Sequence, residues 1–170
     1  KGKKIVYLDD DITAIYKGNK IKTEMKKVYN LKELITKGFA LCDKHKFFKW
    51  GLNPSQNRRS LYDTITTDLR YIGFLTGEIN QPSIRATVDY SEDFERTILY
   101  YKKGGGVIRF NHYVAKSILY AKGGNQATGR NKDNERKDKL IIQKKYPNYA
   151  RIIVRGSGRT DIRLIKNPVM

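Results

Sequence analysis

Three carboxylates, Asp9, Asp10 and Asp11, stand together directly after the run Lys4-Ile5-Val6-Tyr7-Leu8. Adjacent carboxylates repel, and keeping several together in a fold usually requires a cation. Hard oxygen donors suit Mg²⁺ or Mn²⁺. Asp9 and Asp11 flank Asp10, so a turn there lets both reach one ion together with its bound phosphates. The alternative is a solvated acidic turn or a helix cap. A second acidic stretch, Ser91-Glu92-Asp93-Phe94-Glu95, has the form of a helix start. The serine is the N-cap, and the helix dipole favours acids in the first turn by about 0.3–1 kcal/mol each. These acids become catalytic only if a site lies across from them.

Elements that could position these residues follow from local patterns. The run of β-branched and aromatic residues that opens the stretch Lys4 to Ile12 reads as a buried strand, with the acids at its end. Thr13 to Met25, with the turn signal Lys17-Gly18-Asn19-Lys20, predicts a short hairpin. Asn30, with Glu33 three residues on, caps a helix carrying Leu31, Leu34, Ile35, Phe39 and Leu41 to about His45. Phe47, Phe48 and Trp50 are core candidates, and Asn53-Pro54 turns the chain. Two short strands or one bent strand fit Asp63 to Ile79, and Ser83 to Asp89 alternates as another strand. The helix from Ser91 ends at Gly104-Gly105-Gly106. A strand from Val107 to Tyr113 carries His112. Asp133 to Lys145 is a charged helix with Leu140, Ile141 and Ile142 as its apolar contribution. Arg151–Val154, Gly156-Ser157-Gly158 and Ile162–Ile165 form an arginine-studded hairpin.

The chain has 170 residues, enough for one domain spanning 1–170, and carries a formal charge of +18 at pH 7 with a pI near 9.9. Such a balance favours a polyanionic partner: nucleic acid, an anionic membrane surface or a phosphorylated donor. A basic protein with no such partner is the bland alternative. The single cysteine, Cys42, excludes an internal disulfide and a cysteine-built zinc site, and fits a reducing, cytoplasmic setting. No apolar run approaches the roughly 20 residues that span a bilayer, so no membrane partner is expected. Lys1 stands only a few residues before the first strand, as in a fragment of a longer chain.

Taken together, the strand ending in Asp9-Asp10-Asp11-Ile12, the later Ser91-Glu92-Asp93-Phe94-Glu95 and the glycine-bearing basic loop at Gly123 to Arg130 resemble the GT-A nucleotide-sugar glycosyltransferases. Within them the likeness is to the phage-type, TET-associated enzymes that add sugars to hydroxymethylated pyrimidines in DNA. It covers about Lys4 to Tyr149. The resemblance implies an α/β fold with a mixed central sheet, flanking helices and a C-terminal hairpin. A nucleotide-binding half would precede the D-x-D strand, leaving this chain as the catalytic, acceptor-side part. It also implies that Asp9 and Asp11, with Asp10 between them, hold Mn²⁺ or Mg²⁺ on the diphosphate of a nucleotide-sugar donor such as a UDP-sugar. Glu92 and Asp93 fall on the acceptor-side carboxylates, with Asp93 favoured as base. His112 falls on a late histidine that is a further metal ligand or touches the leaving diphosphate. Arg130 and Lys132, beside Gly123, Gly124 and Gly129, look like a phosphate-gripping loop, against which stands a solvated basic loop. The implied setting is the cytoplasm of a bacterial or phage-infected cell, with DNA as the polyanionic acceptor.

Two other classes compete. Asp11 followed by Glu24-Met25-Lys26 matches the bare D…E-x-K pattern of Mg²⁺-dependent nucleases, in which the lysine steadies the attacking water. A non-enzymatic nucleic-acid binder would use the arginine-rich hairpin and the aromatic content for backbone contact and stacking. It accounts for the charge but not for Asp9 to Asp11, which repel phosphate unless a metal sits between them.

Overall fold

The computed structural model describes residues 2–18, 25–55, 57–117, 132–156 and 158–166. In chain order the elements are β1 (Lys4–Leu8), β2 (Ile12–Lys17), β3 (Lys26–Lys27), α1 (Leu31–His45), β4 (Lys49–Asn53), β5 (Ile65–Thr66), β6 (Gly73–Ile79), α2 (Glu92–Gly104), β7 (Ile108–Ser117), α3 (Lys132–Lys145), β8 (Ala150–Val154) and β9 (Thr160–Leu164). The fold is mixed α/β. Seven strands form one sheet in the order β1-β6-β4-β7-β2-β3, with β5 beside the first half of β7, while β8 and β9 form a separate hairpin. β4 and β7 run parallel, and the other pairs are antiparallel.

The centre of the sheet is β4, whose five residues are all buried. Its Trp50 is fully enclosed and meets Phe39 of α1 and Phe110 of β7 edge-on, at ring-centre distances of 5.7 and 6.0 Å. Two glycines make room for the indole. A Cβ on Gly38 would lie 2.4 Å from it, and one on Gly77 only 2.1 Å. α1 begins as the capping pattern predicts, with Asn30 Oδ1 accepting from the Glu33 amide at 3.1 Å. α2 stops at Gly105, whose φ of 81° favours glycine.

A second apolar cluster, with Ile98, Ile142, Tyr146, Ala150 and Ile162, packs α3 and the hairpin against α2. Glu95 of α2 is buried within this layer and accepts from Lys145 Nζ and the Tyr146 hydroxyl, both at 2.8 Å, and from the Thr87 amide at 2.6 Å. Burial alone would raise the Glu95 carboxyl, but these hydrogen bonds outweigh it and hold the group below its usual range.

Two local expectations are corrected. The opening run is not a buried strand: β1 pairs only with β6 among the described residues, and Val6, Tyr7 and Leu8 remain 38, 43 and 52 % exposed at the sheet edge. Ser83 to Asp89 forms no strand: the Ile84 amide closes a turn on the Gln81 carbonyl, and carboxylates take the amides of Thr87 and of Tyr90 just beyond. Thr87 donates to Glu95, and Tyr90 donates to Asp138 at 2.6 Å. The charged helix α3 forms as expected, and of its three apolar residues Ile142 is buried, whereas Leu140 and Ile141 are about half exposed, at 45 and 48 %. β2 and β3 pair antiparallel, with Tyr16 opposite Lys27; the second strand lies just past the expected Thr13 to Met25, and Asn19 and Lys20 of the turn signal lie outside the described residues. Among the described residues, no helix is long and apolar enough to cross a membrane.

Candidate active-site cleft

The acidic run lies where the strands end. Leu8 is paired with Leu75, and the Asp9 amide extends the contact by donating to the Phe74 carbonyl at 3.0 Å. Ile12 is already opposite Ser117 on β7. Asp9, Asp10 and Asp11 therefore carry the chain across the carboxyl ends of the parallel strands β4 and β7, where ligands of α/β sheets commonly bind. Asp9 and Asp10 are exposed and Asp11 is half-buried. Phe74, which accepts the Asp9 amide, has a φ of 63°. For a bulky residue that is an outlier, of the kind that concentrates near functional sites.

Tyr71, two residues before β6, connects this strand end to α2. Its hydroxyl donates to Asp93 Oδ2, and its ring lies flat on Phe94, 3.9 Å between centres and 6° from parallel. The other carboxylate oxygen of Asp93 accepts the Phe94 amide at 2.8 Å. One hydrogen bond to each oxygen fixes the plane of the carboxylate. Burial first, and then the negative charge of Asp93, push the Tyr71 hydroxyl well above its ordinary range, with Asp9 and Glu92 adding to the effect. Acids from two distant parts of the chain thus act on one phenol.

Tyr71, Asp93 and Phe94 line an open cleft of about 460 Å³ together with Arg70 and Arg109. α3 and the C-terminal hairpin supply the opposite wall through Lys139, Arg155, Arg159, Asp161 and Arg163. Arg109 reaches the cleft from β7. Its Nε donates to Asn111 Oδ1 at 2.6 Å and its Nη1 to the Tyr71 carbonyl at 3.4 Å. Burial, with Arg70 adding like charge, pulls its guanidinium down to about 10. On the hairpin, Arg155 is tied to Asp161 at 2.8 Å.

The structure brings Asp9, Glu92 and Asp93 to the surroundings of one tyrosine, with Asp10 and Asp11 following Asp9. It does not bring His112 there, which corrects the expectation that His112 joins Asp9 and Asp11 at a metal. His112 is buried at 5 % exposure, its Nδ1 lies 3.3 Å from the Thr64 carbonyl, and its own carbonyl accepts the Gly18 amide at the far end of β2. Five residues separate it from Ser117, on the order of 15 Å along a strand. Arg130, with the glycine loop, lies outside the described residues, and Lys132 is the first residue of α3. Glu24 is likewise outside them. Lys26 pairs with Lys17, at the end of β2 opposite to Asp11, so Asp11 and Lys26 do not meet.

Among the described residues, no group of three or more His, Cys, Asp or Glu side chains is arranged to hold a metal. The donor set of Asp9 and Asp11 fits a different arrangement, since Mg²⁺ is commonly bound by one or two carboxylates plus substrate phosphates and water.

Sequence patterns missed Tyr71, Arg70 and Arg109. Tyr71 read as a strand former, and its link to Asp93 is visible only in three dimensions. Arg109 did carry a signal: it is a lone cation inside the apolar run Val107–Phe110. No family model matches this sequence, no curated protein is detectably similar to it, and no solved structure matches its fold.

Proposed function

We propose that the chain is the catalytic part of a metal-dependent glycosyltransferase that moves a sugar from a nucleotide-sugar donor, such as a UDP-sugar, to a hydroxyl on a polyanionic acceptor such as hydroxymethylated DNA. The observation that carries this reading is the Tyr71 hydroxyl held on Asp93 beside an arginine-lined cleft, with Asp9 adding to the negative charge that the phenol senses.

In this reading Asp93 takes the proton from the acceptor hydroxyl as that oxygen bonds to the anomeric carbon of the sugar. The bond from the sugar to the donor diphosphate breaks, and the diphosphate departs with the electron pair. Tyr71 and the Phe94 amide hold the Asp93 carboxylate in one plane, so its proton affinity is directed rather than diffuse. Asp9 and Asp11 would hold Mg²⁺ or Mn²⁺ against the diphosphate, and that ion, when bound, neutralises charge on the leaving group. The basic walls favour an acceptor rich in phosphate.

The nuclease alternative draws no comparable support, because Lys26 lies away from Asp11. A binding module without catalysis would make no use of Tyr71 and Asp93.

The test is thermal unfolding with UDP and Mn²⁺, in the wild-type chain and in a variant carrying Asp9→Asn and Asp11→Asn. Ligand at a hundred times its dissociation constant stabilises by about 2.7 kcal/mol. Stabilisation by UDP that requires both metal and the aspartates supports the transferase, and screening then begins with hydroxymethylated DNA. Equal UDP effects in both proteins would sink it.

A further inference from the structure

Two arginines, Arg70 and Arg109, line the cleft that Asp93 also lines. Arg70 is exposed and Arg109 half-buried, and the charge of Arg70 adds to burial in lowering the Arg109 guanidinium. Among the described residues, neither has a carboxylate within salt-bridge distance; Arg109 is held instead by the neutral acceptors Asn111 Oδ1 and the Tyr71 carbonyl. Those acceptors orient the guanidinium without cancelling its charge. Across the cleft the hairpin repeats the pattern, since its ladder sets Arg151 directly opposite Arg163, and Arg163 lines the cleft. Like charges directly opposite on a ladder are destabilising. Cations gathered at two walls of one cleft, with Arg109 held by uncharged acceptors, are arranged for an anion between them.

We propose that Arg70 and Arg109 form a phosphate-binding subsite next to Asp93, with Arg163 facing it from the hairpin. A planar guanidinium grips phosphate oxygens through two parallel N–H groups, and the pair spans the distance between non-bridging oxygens better than a single cation. On the transferase reading, which supplies the choice of source, the phosphate is either a phosphodiester of the acceptor strand or part of the donor diphosphate. A phosphodiester held there would place a neighbouring hydroxyl within reach of Asp93, and a diphosphate would place the departing group there.

The test uses the full chain with two probes, a short fluorescein-labelled single-stranded DNA followed by anisotropy and UDP with Mn²⁺ followed by calorimetry. Arg70→Gln and Arg109→Gln are compared with Lys103→Gln, an exposed change at the far end of α2. Each arginine variant is expected to weaken at least one probe tenfold or more, while Lys103→Gln does not. Loss confined to the DNA probe, with its log–log salt slope reduced by about 0.7, supports the subsite and assigns it to the acceptor. Loss confined to UDP supports it and assigns it to the donor. Wild-type affinity for both probes in Arg70→Gln overturns the proposal, and that exposed change decides if Arg109→Gln does not fold. Failure of the wild-type chain to bind either probe overturns it as well. Retained arginine-dependent binding without any sugar transfer would sink the transferase reading and leave the subsite standing.

Discussion

The hydroxyl of Tyr71 donates a hydrogen bond to Oδ2 of Asp93, while the two neighbouring rings, Tyr71 and Phe94, lie in parallel contact. The stack fixes where the phenol sits, and the hydrogen bond fixes which way the carboxylate faces. Tyr71→Phe keeps the stack and removes the donor. A hydrogen bond to a charged group is worth about 1.5–3 kcal/mol, so sugar transfer should fall by on the order of tenfold or more, with a much smaller change in melting temperature. Steady-state kinetics beside a thermal melt separates the two, and an unchanged rate would remove Tyr71 from the mechanism.

Metal affinity should depend on the strand-end aspartates and not on the histidine. Asp9→Asn or Asp11→Asn is expected to abolish Mn²⁺-dependent UDP binding, whereas His112→Asn should leave it within about twofold, because His112 is packed at the other end of β2. Calorimetric titration of each variant checks this. Burial also holds the His112 imidazole below its usual value, so the folded state resists its protonation. That contribution is present above a pH of about 6.5 and is lost as pH falls through the folded-state value, so wild type should lose more stability than His112→Asn between pH 7 and 5.

Acid stability should depend on Glu78. This carboxylate is buried in β6 and bonded by Lys49 and by Arg96 through both Nε and Nη2. Burial would raise it, but the charge of Lys49 and the hydrogen bonds from Arg96 and Lys49 prevail and hold it below its usual range. A depressed carboxylate stabilises above its unfolded pKa and loses that contribution as pH falls through the folded value. Glu78→Gln leaves Lys49 buried without its counter-charge, which costs about 3–5 kcal/mol at pH 7. The gap from wild type should narrow as pH falls below the ordinary glutamate range and on through the depressed folded value, where the wild-type carboxylate also protonates. Urea unfolding at several pH values measures it; a pH-independent gap would contradict the assignment.

Gly38 offers a test of packing in which two effects have opposite signs. In an ordinary helix interior, Gly→Ala stabilises by about 1 kcal/mol. Here the new Cβ would lie 2.4 Å from the indole of Trp50, and overpacking typically costs about 1–3 kcal/mol. Gly38→Ala is therefore expected to destabilise. Trp50 is the only tryptophan, so its emission in urea unfolding reports both the stability and any shift of the ring.

Much of this protein was determined locally by its sequence. Asn30 with Glu33, the glycines after α2, and the alternation around Gly156 and Gly158 specified α1, the end of α2 and the C-terminal hairpin, because capping and turn chemistry act over three or four residues. The same local rules placed Asp9 to Asp11 after a strand and Asp93 in the first turn of a helix. Long-range pairing decided the rest. It put β1 at an edge although its composition suits a core, set His112 a strand's length from Asp11, and gave the amides near Thr87 and Tyr90 to distant carboxylates. It also joined Arg70, Tyr71 and Arg109 to Asp93 in one cleft. No residue carries a local mark of which partner from another segment will face it. That choice belongs to burial and strand register, which are settled only when the whole sheet assembles.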